Sequence, residues 1–159
     1  MATIKEAAKV FLSEKTIAVV GVSRNPKMAA NFIYRKLRNE GYKVFAVNPN
    51  ATIVEEDTCY SNLKEIPDKP GAVVIVTKPD VTEQVVRECA ELGIAKVWMH
   101  KGPDAKTASV SEEAVVYCRK NNIAVIPGAC PMMYCDHVDF GHRIMRWIQN
   151  LTGGLPKEV

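Results

Sequence analysis

Thr16-Ile17-Ala18-Val19-Val20-Gly21-Val22-Ser23-Arg24-Asn25-Pro26-Lys27 is the stretch that decides the fold. Ile17 to Val20 is an unbroken apolar run. Such runs suit a strand buried on both faces of a parallel sheet. A polar loop follows from Val22 to Pro26. Residues from about 27 to 40 then read as a helix, with Ala30, Ile33, Tyr34 and Leu37 at core spacing and Gly41 just past the end.

The same strand-then-helix pattern extends outward. Residues 2–12 read as a short amphipathic helix with Ile4, Ala7, Ala8, Phe11 and Leu12 on one stripe. Lys43 to Val47 is a second strand, ended by Asn48-Pro49-Asn50. A less regular stretch holds Thr58-Cys59-Tyr60, an expected edge strand, and Leu63 to Ile66, one helical turn. Ala72–Val76, Lys96–Met99 and Ile123–Ile126 read as strands. Pro79–Leu92, Ser109–Asn121 and Phe140–Asn150 read as helices, the first of them closed by Gly93. Strands alternating with helices across short links predict the α/β class, a single doubly wound, mainly parallel, Rossmann-like sheet over residues 1–159. Folds of this class bind ligands beyond the carboxyl ends of their strands. The residues after each strand are therefore the candidates: 22–27, 48–50, 77–79, 100–103 and 127–135.

Composition narrows the function. A hydrophobic content of 47% over 159 residues gives a real core and argues against disorder. Lys+Arg total 21 against 18 Asp+Glu, a formal +3, too even for a nucleic-acid partner. No apolar stretch approaches the roughly 18 residues of a membrane span, and Met1 to Phe11 lacks a signal peptide's apolar segment. The cysteines, Cys59, Cys89, Cys118, Cys130 and Cys135, are odd in number and contain no CxxC. A reduced, cytoplasmic protein with free thiols is expected.

The first loop has phosphate-binding character. A helix start presents unpaired N–H groups and partial positive charge. Ser23 and Asn25 add caps and donors, and Arg24 and Lys27 add two full charges. The competing reading is that Ser23 and Asn25 only cap the helix and the cations are solvated. Neither the G-x-G-x-x-G fingerprint nor the P-loop is present, since Gly21 stands alone and Lys27 is followed by Met28. Nor does an acid follow Val47, where an NAD site carries one for the ribose.

These residues, with Leu37, Gly41-Tyr42-Lys43-Val44 and Val47-Asn48-Pro49, resemble the CoA-binding domain family. That family comprises small stand-alone Rossmann proteins similar to the N-terminal domain of the succinyl-CoA synthetase alpha subunit and of NDP-forming acyl-CoA synthetases. Tyr60-Ser61-Asn62-Leu63-Lys64-Glu65-Ile66-Pro67, Trp98 and Cys130-Pro131 extend the likeness over about residues 13–135. The resemblance implies coenzyme A, or an acyl-CoA, as ligand. It implies a phosphate loop of Gly21, Ser23, Arg24, Asn25 and Lys27. Asn48 and Pro49 would flank adenine and ribose. Val76, Thr77, Lys78 and Pro79 would contact the nucleotide or the pantetheine arm, and Cys130, Pro131 and Met132 would lie beside that arm. Asn50 stands where the synthetases often carry a basic residue.

No activated nucleophile and no standard metal pattern is visible; Cys130, Cys135 and His137 have the wrong spacing for zinc. His100 is expected to line the pocket rather than to catalyse. The last helix, with Phe140, Ile144, Met145, Trp147, Ile148 and Leu151, is expected to pack mostly on the sheet, any excess serving a homodimer. A non-catalytic CoA-binding module, or a subunit serving a separate catalytic chain, leads. An NADP-type dinucleotide-binding oxidoreductase is the alternative.

Overall fold

A computed structural model describes residues 2–156 and 159. The strands are β1 (Thr16–Val20), β2 (Lys43–Val47), β3 (Ile53–Val54), β4 (Asp57–Tyr60), β5 (Ala72–Ile75), β6 (Lys96–Met99) and β7 (Ala124–Pro127). The helices are α1 (Ile4–Leu12), α2 (Ala29–Asn39), α3 (Pro79–Leu92), α4 (Glu112–Lys120) and α5 (Phe140–Thr152). All seven strands join one sheet in the order β3-β4-β2-β1-β5-β6-β7. Every pairing is parallel except β3 with β4. Without β3, this is the 3-2-1-4-5-6 order of the dinucleotide-binding folds, with its switch point between β1 and β5.

The apolar run of β1 is buried on both faces. Ile17 and Val19 join a core with Phe11 of α1, Ile33, Tyr34 and Leu37 of α2, and Trp98. Ala18 and Val20 join a second core with Val85, Val86 and Cys89 of α3 and Ala114, Val115 and Cys118 of α4. Trp98 is fully buried, meets Phe11 edge-on at 5.3 Å, and donates from Nε1 to the Gly128 carbonyl at 2.8 Å. That bond satisfies the one polar atom of the indole, as burial requires.

Three expectations are corrected. The irregular link after β2 forms an antiparallel hairpin: the strand expected at Thr58-Cys59-Tyr60 is β4, but β3 lies beyond it and takes the edge of the sheet. The hairpin's turn residues, Glu55 and Glu56, adopt φ of 51° and 68°. Two helices start later than expected: α2 at Ala29, because Met28 is extended, and α4 at Glu112, capped by Ser111. Finally, α5 does not pack on the sheet. None of its residues is buried, and Phe140, Trp147 and Leu151 are exposed. It rests on the turn Pro131–Met133, where Arg146 Nη1 donates to the Met133 carbonyl at 2.8 Å.

All five cysteines are free and buried. Burial pushes the Cys118 and Cys135 thiols up to about 11, leaving little thiolate near neutrality. The native chain is expected to react slowly with a thiol reagent and to release all five thiols only in denaturant. Its melting temperature is expected to be the same with and without reductant. Fast labelling of the native state, or a reductant-dependent midpoint, would contradict this.

Candidate functional site

Gly21 ends β1 at the switch point with φ of 106°, and its N–H donates to the Val47 carbonyl at 2.8 Å. The chain leaves the strand close above β5: a Cβ on Gly21 would stand 2.1 Å from the Val76 carbonyl oxygen. Only glycine permits that approach.

The following loop is held from inside the protein. Buried Asn31, on α2, accepts the Ser23 N–H at 2.9 Å through Oδ1 and donates from Nδ2 to the Ser23 carbonyl at 2.7 Å. The same Nδ2 reaches Glu55 Oε1 at 2.8 Å, and Arg35 Nη1 reaches that oxygen at 2.6 Å. Ser23 Oγ accepts the Asn25 N–H at 3.0 Å, and Asn25 Oδ1 accepts the Lys27 N–H at 3.1 Å. Ser23 and Asn25 therefore close turns inside the loop, and neither caps the helix. The cap position is Met28, with no side-chain hydrogen bond to the helix.

The same absence recurs once. α1, α4 and α5 are capped by Thr3, Ser111 and Asp139, but α3 starts from Lys78 with no side-chain cap and with Pro79 at its first turn. The two uncapped helix starts, of α2 and α3, face one cleft of about 580 Å³ above β1 and β5. Uncapped starts leave N–H groups and partial positive charge for an anion. Lys27, Lys78 and Lys106 add three ammonium groups, and no carboxylate stands among the described lining residues. The β5 side is rigid: Thr77 N–H donates to Ser109 Oγ at 3.0 Å, and buried Thr82 donates to the Ser109 carbonyl at 2.8 Å.

Of the residues expected from sequence, Gly21, Lys27, Val76, Thr77, Lys78 and Pro79 line this cleft. Ser23, Arg24 and Asn25 lie on the loop outside its lining, with Arg24 and Asn25 exposed. Asn48 lies away from the lining too. Its Nδ2 donates to the Val22 carbonyl at 2.9 Å, so it braces the loop, while Pro49 is exposed. Cys130 and Met132 line an adjoining chamber, and Pro131 is buried in the turn beneath. Cys130 is 4% exposed and burial raises its thiol to about 12. The protein itself shields that thiol from solvent.

Lys106 and Thr107 were missed. They sit in the long link between β6 and α4, of which the sequence reading considered only 100–103. The signal available was a lone cation downstream of Gly102-Pro103 in a loop at the ligand-binding edge.

His100, at the end of β6, lines the cleft and the chamber. It is 5% exposed, and its Nδ1 has no hydrogen-bond partner. Burial holds the imidazole down at about 4, well below its ordinary value, with nearby His142 adding a smaller push. An unpaired buried polar atom costs about 1–3 kcal/mol. Among the described residues, no group of three or more His, Cys, Asp or Glu side chains could hold a metal ion, and no helix is long and apolar enough to cross a membrane.

A family model described as a CoA binding domain matches residues 15–136. The acetate–CoA ligase [ADP-forming] II of Archaeoglobus fulgidus is 33% identical over 101 residues, which are 62% of this chain and 14% of the ligase. The chain thus spans about a seventh of that relative's length. An uncharacterized Bacillus subtilis protein, YneT, is 26% identical over 125 residues, 79% of this chain and 88% of its own. A solved hypothetical protein from Pyrococcus horikoshii superposes with a TM-score of 0.76 at 25% identity, covering 87% of this chain and 96% of that one.

Proposed function

The chain belongs to the CoA binding domain family, and from that premise we propose that it binds coenzyme A or an acyl-CoA in the switch-point cleft. We read it as a cytoplasmic binding module or subunit with no chemistry of its own. One observation carries the reading: two uncapped helix starts and three lysines converge on one cleft that has no carboxylate among its described lining residues. CoA brings a diphosphate and a ribose phosphate, and charge-assisted contacts to such groups are strong. The uncapped start of α2 suits the diphosphate, with Lys27 and Lys78 on either side of it. The likeness to a small part of an acetate–CoA ligase supports a module rather than a whole enzyme.

The dinucleotide alternative has less support. Asn48, where an NAD site carries an acid, uses its amide on the Val22 carbonyl, and Glu55 is committed to Asn31 and Arg35. Neither offers a free carboxylate to the ribose diol of NAD, and the turn Asn48-Pro49-Asn50 holds no arginine for the 2′-phosphate of NADP.

Thermal shift and calorimetry with CoA, NAD and NADP test the reading. CoA at a hundred times its Kd stabilises the native state by about 2.7 kcal/mol. NAD and NADP at the same concentration are expected to do much less. Equal shifts with all three overturn the proposal. Lys27→Ala and Lys78→Ala are each expected to weaken CoA binding by about tenfold, the loss of one charged hydrogen bond. Arg24→Ala is expected to cost less, since Arg24 lies outside the lining. A larger loss from Arg24→Ala than from either lysine variant would move the diphosphate to the outer side of the loop.

A further inference from the structure

A second chamber of about 370 Å³ adjoins the cleft, and Ala29, His100 and Thr107 line both. Its walls are mostly apolar: Phe32 and Ile33 from α2, Pro103 from the link after β6, Met132 from the turn before α5, and Met145 from α5. Asp104 and His142 also contribute to the lining. Polar phosphates have no counterpart among these apolar walls, whereas an apolar group carried on the far end of the same ligand does.

Given the CoA reading of the cleft, on which this rests, we propose that the chamber takes the acyl group of an acyl-CoA larger than acetyl. Two observations meet in this assignment. The chamber and the phosphate cleft share Ala29, His100 and Thr107 as walls. The volume exceeds what acetyl needs: at roughly 30 Å³ for a water-sized group, it has room for on the order of ten non-hydrogen atoms. The step is binding only, and no bond is made or broken.

Calorimetry on the full chain with CoA, acetyl-CoA, butyryl-CoA and hexanoyl-CoA tests it. Affinity is expected to rise along the series, with hexanoyl-CoA about tenfold or more tighter than acetyl-CoA, since each buried methylene is worth up to about fourfold. Met145→Trp, which fills the chamber from a helix with no buried residue, is expected to bring the hexanoyl-to-acetyl ratio close to one. Measurable CoA binding with a flat acyl series overturns the chamber assignment and leaves the CoA reading standing. So does a series whose slope survives Met145→Trp. No binding of CoA or of any acyl-CoA overturns both.

Discussion

Between pH 6.5 and 4 the wild-type chain is expected to lose about 3 kcal/mol of stability that a His100→Gln variant keeps. His100 titrates at its ordinary value of 6.5 in the unfolded chain and at about 4 in the native one. Above pH 6.5 both states hold it neutral, and its ionisation contributes nothing to the balance. As pH falls through 6.5 the unfolded chain takes up a proton that the buried native imidazole refuses. The equilibrium therefore moves toward the unfolded state until the native group also protonates, near pH 4. Carboxylates whose native values are depressed act in a different window. Glu40, held down first by its hydrogen bond with His137, and Asp57, held down first by Tyr34, lose their contribution only below their ordinary values of 4.5 and 3.8. They do so in both proteins, so the difference between wild type and variant isolates His100. Urea denaturation followed by circular dichroism at half-unit steps of pH measures it. Parallel curves for the two proteins would show that the native imidazole protonates freely, and that His100 is not held away from water.

The strands were legible because burial on both faces leaves a plain mark: Ile17–Val20 and Ala72–Ile75 are continuous apolar runs in the sequence and central in the sheet. Of the β3–β4 hairpin only β4 was legible, as the strand at Thr58-Cys59-Tyr60. The hairpin's two-residue turn is Glu55-Glu56, where glycine or asparagine is the usual signal of positive φ. The strain is offset by tertiary partners that no local window contains. Glu55 is held by Asn31 and Arg35, while Asp57 accepts from Tyr34 Oη at 2.7 Å and from Arg38 Nη1 at 2.7 Å. The helix starts erred for a similar reason. Ser109 looked like the start of α4, but its hydroxyl is taken by the Thr77 N–H across the sheet edge, and Ser111 caps instead. Ser23 and Asn25 looked like caps, and their side chains are used within the loop. At the candidate site, Lys27 and residues 77–79 follow β1 and β5 by topology and line the cleft, while Gly21 and Val76 were named only on the family resemblance. Lys106, several residues into a link, and the outward face of α5 depend on how loops and the last helix settle, which periodicity does not encode.

Gly21→Ala is expected to be the most damaging single methyl group that can be added near the site, at about 4 kcal/mol, a large part of a typical domain's whole stability. Two costs combine. A φ of 106° lies where L side chains are strained, at about 1–3 kcal/mol. The new methyl carbon would also stand 2.1 Å from the Val76 carbonyl oxygen, a backbone atom with no rotamer to move. Relieving that overlap means separating the end of β1 from the end of β5, at about 1–3 kcal/mol. Gly41→Ala is the control. Gly41 also has a positive φ, 92°, but nothing lies within 4 Å of its added Cβ. It pays only the conformational part, about 1–2 kcal/mol. Urea midpoints with unchanged slopes give both numbers, and the gap between them is the close approach itself. The damage reaches function as well, because Gly21 and Val76 both line the cleft between the two uncapped helix starts. Forcing them apart shifts those helices relative to one another, so CoA affinity in Gly21→Ala is expected to fall even at temperatures where the variant remains folded, while Gly41→Ala, at the far end of α2, keeps it. Equal stability losses in the two variants would mean that the Val76 carbonyl yields easily, and that the tight seam between β1 and β5 does not fix the geometry of the site.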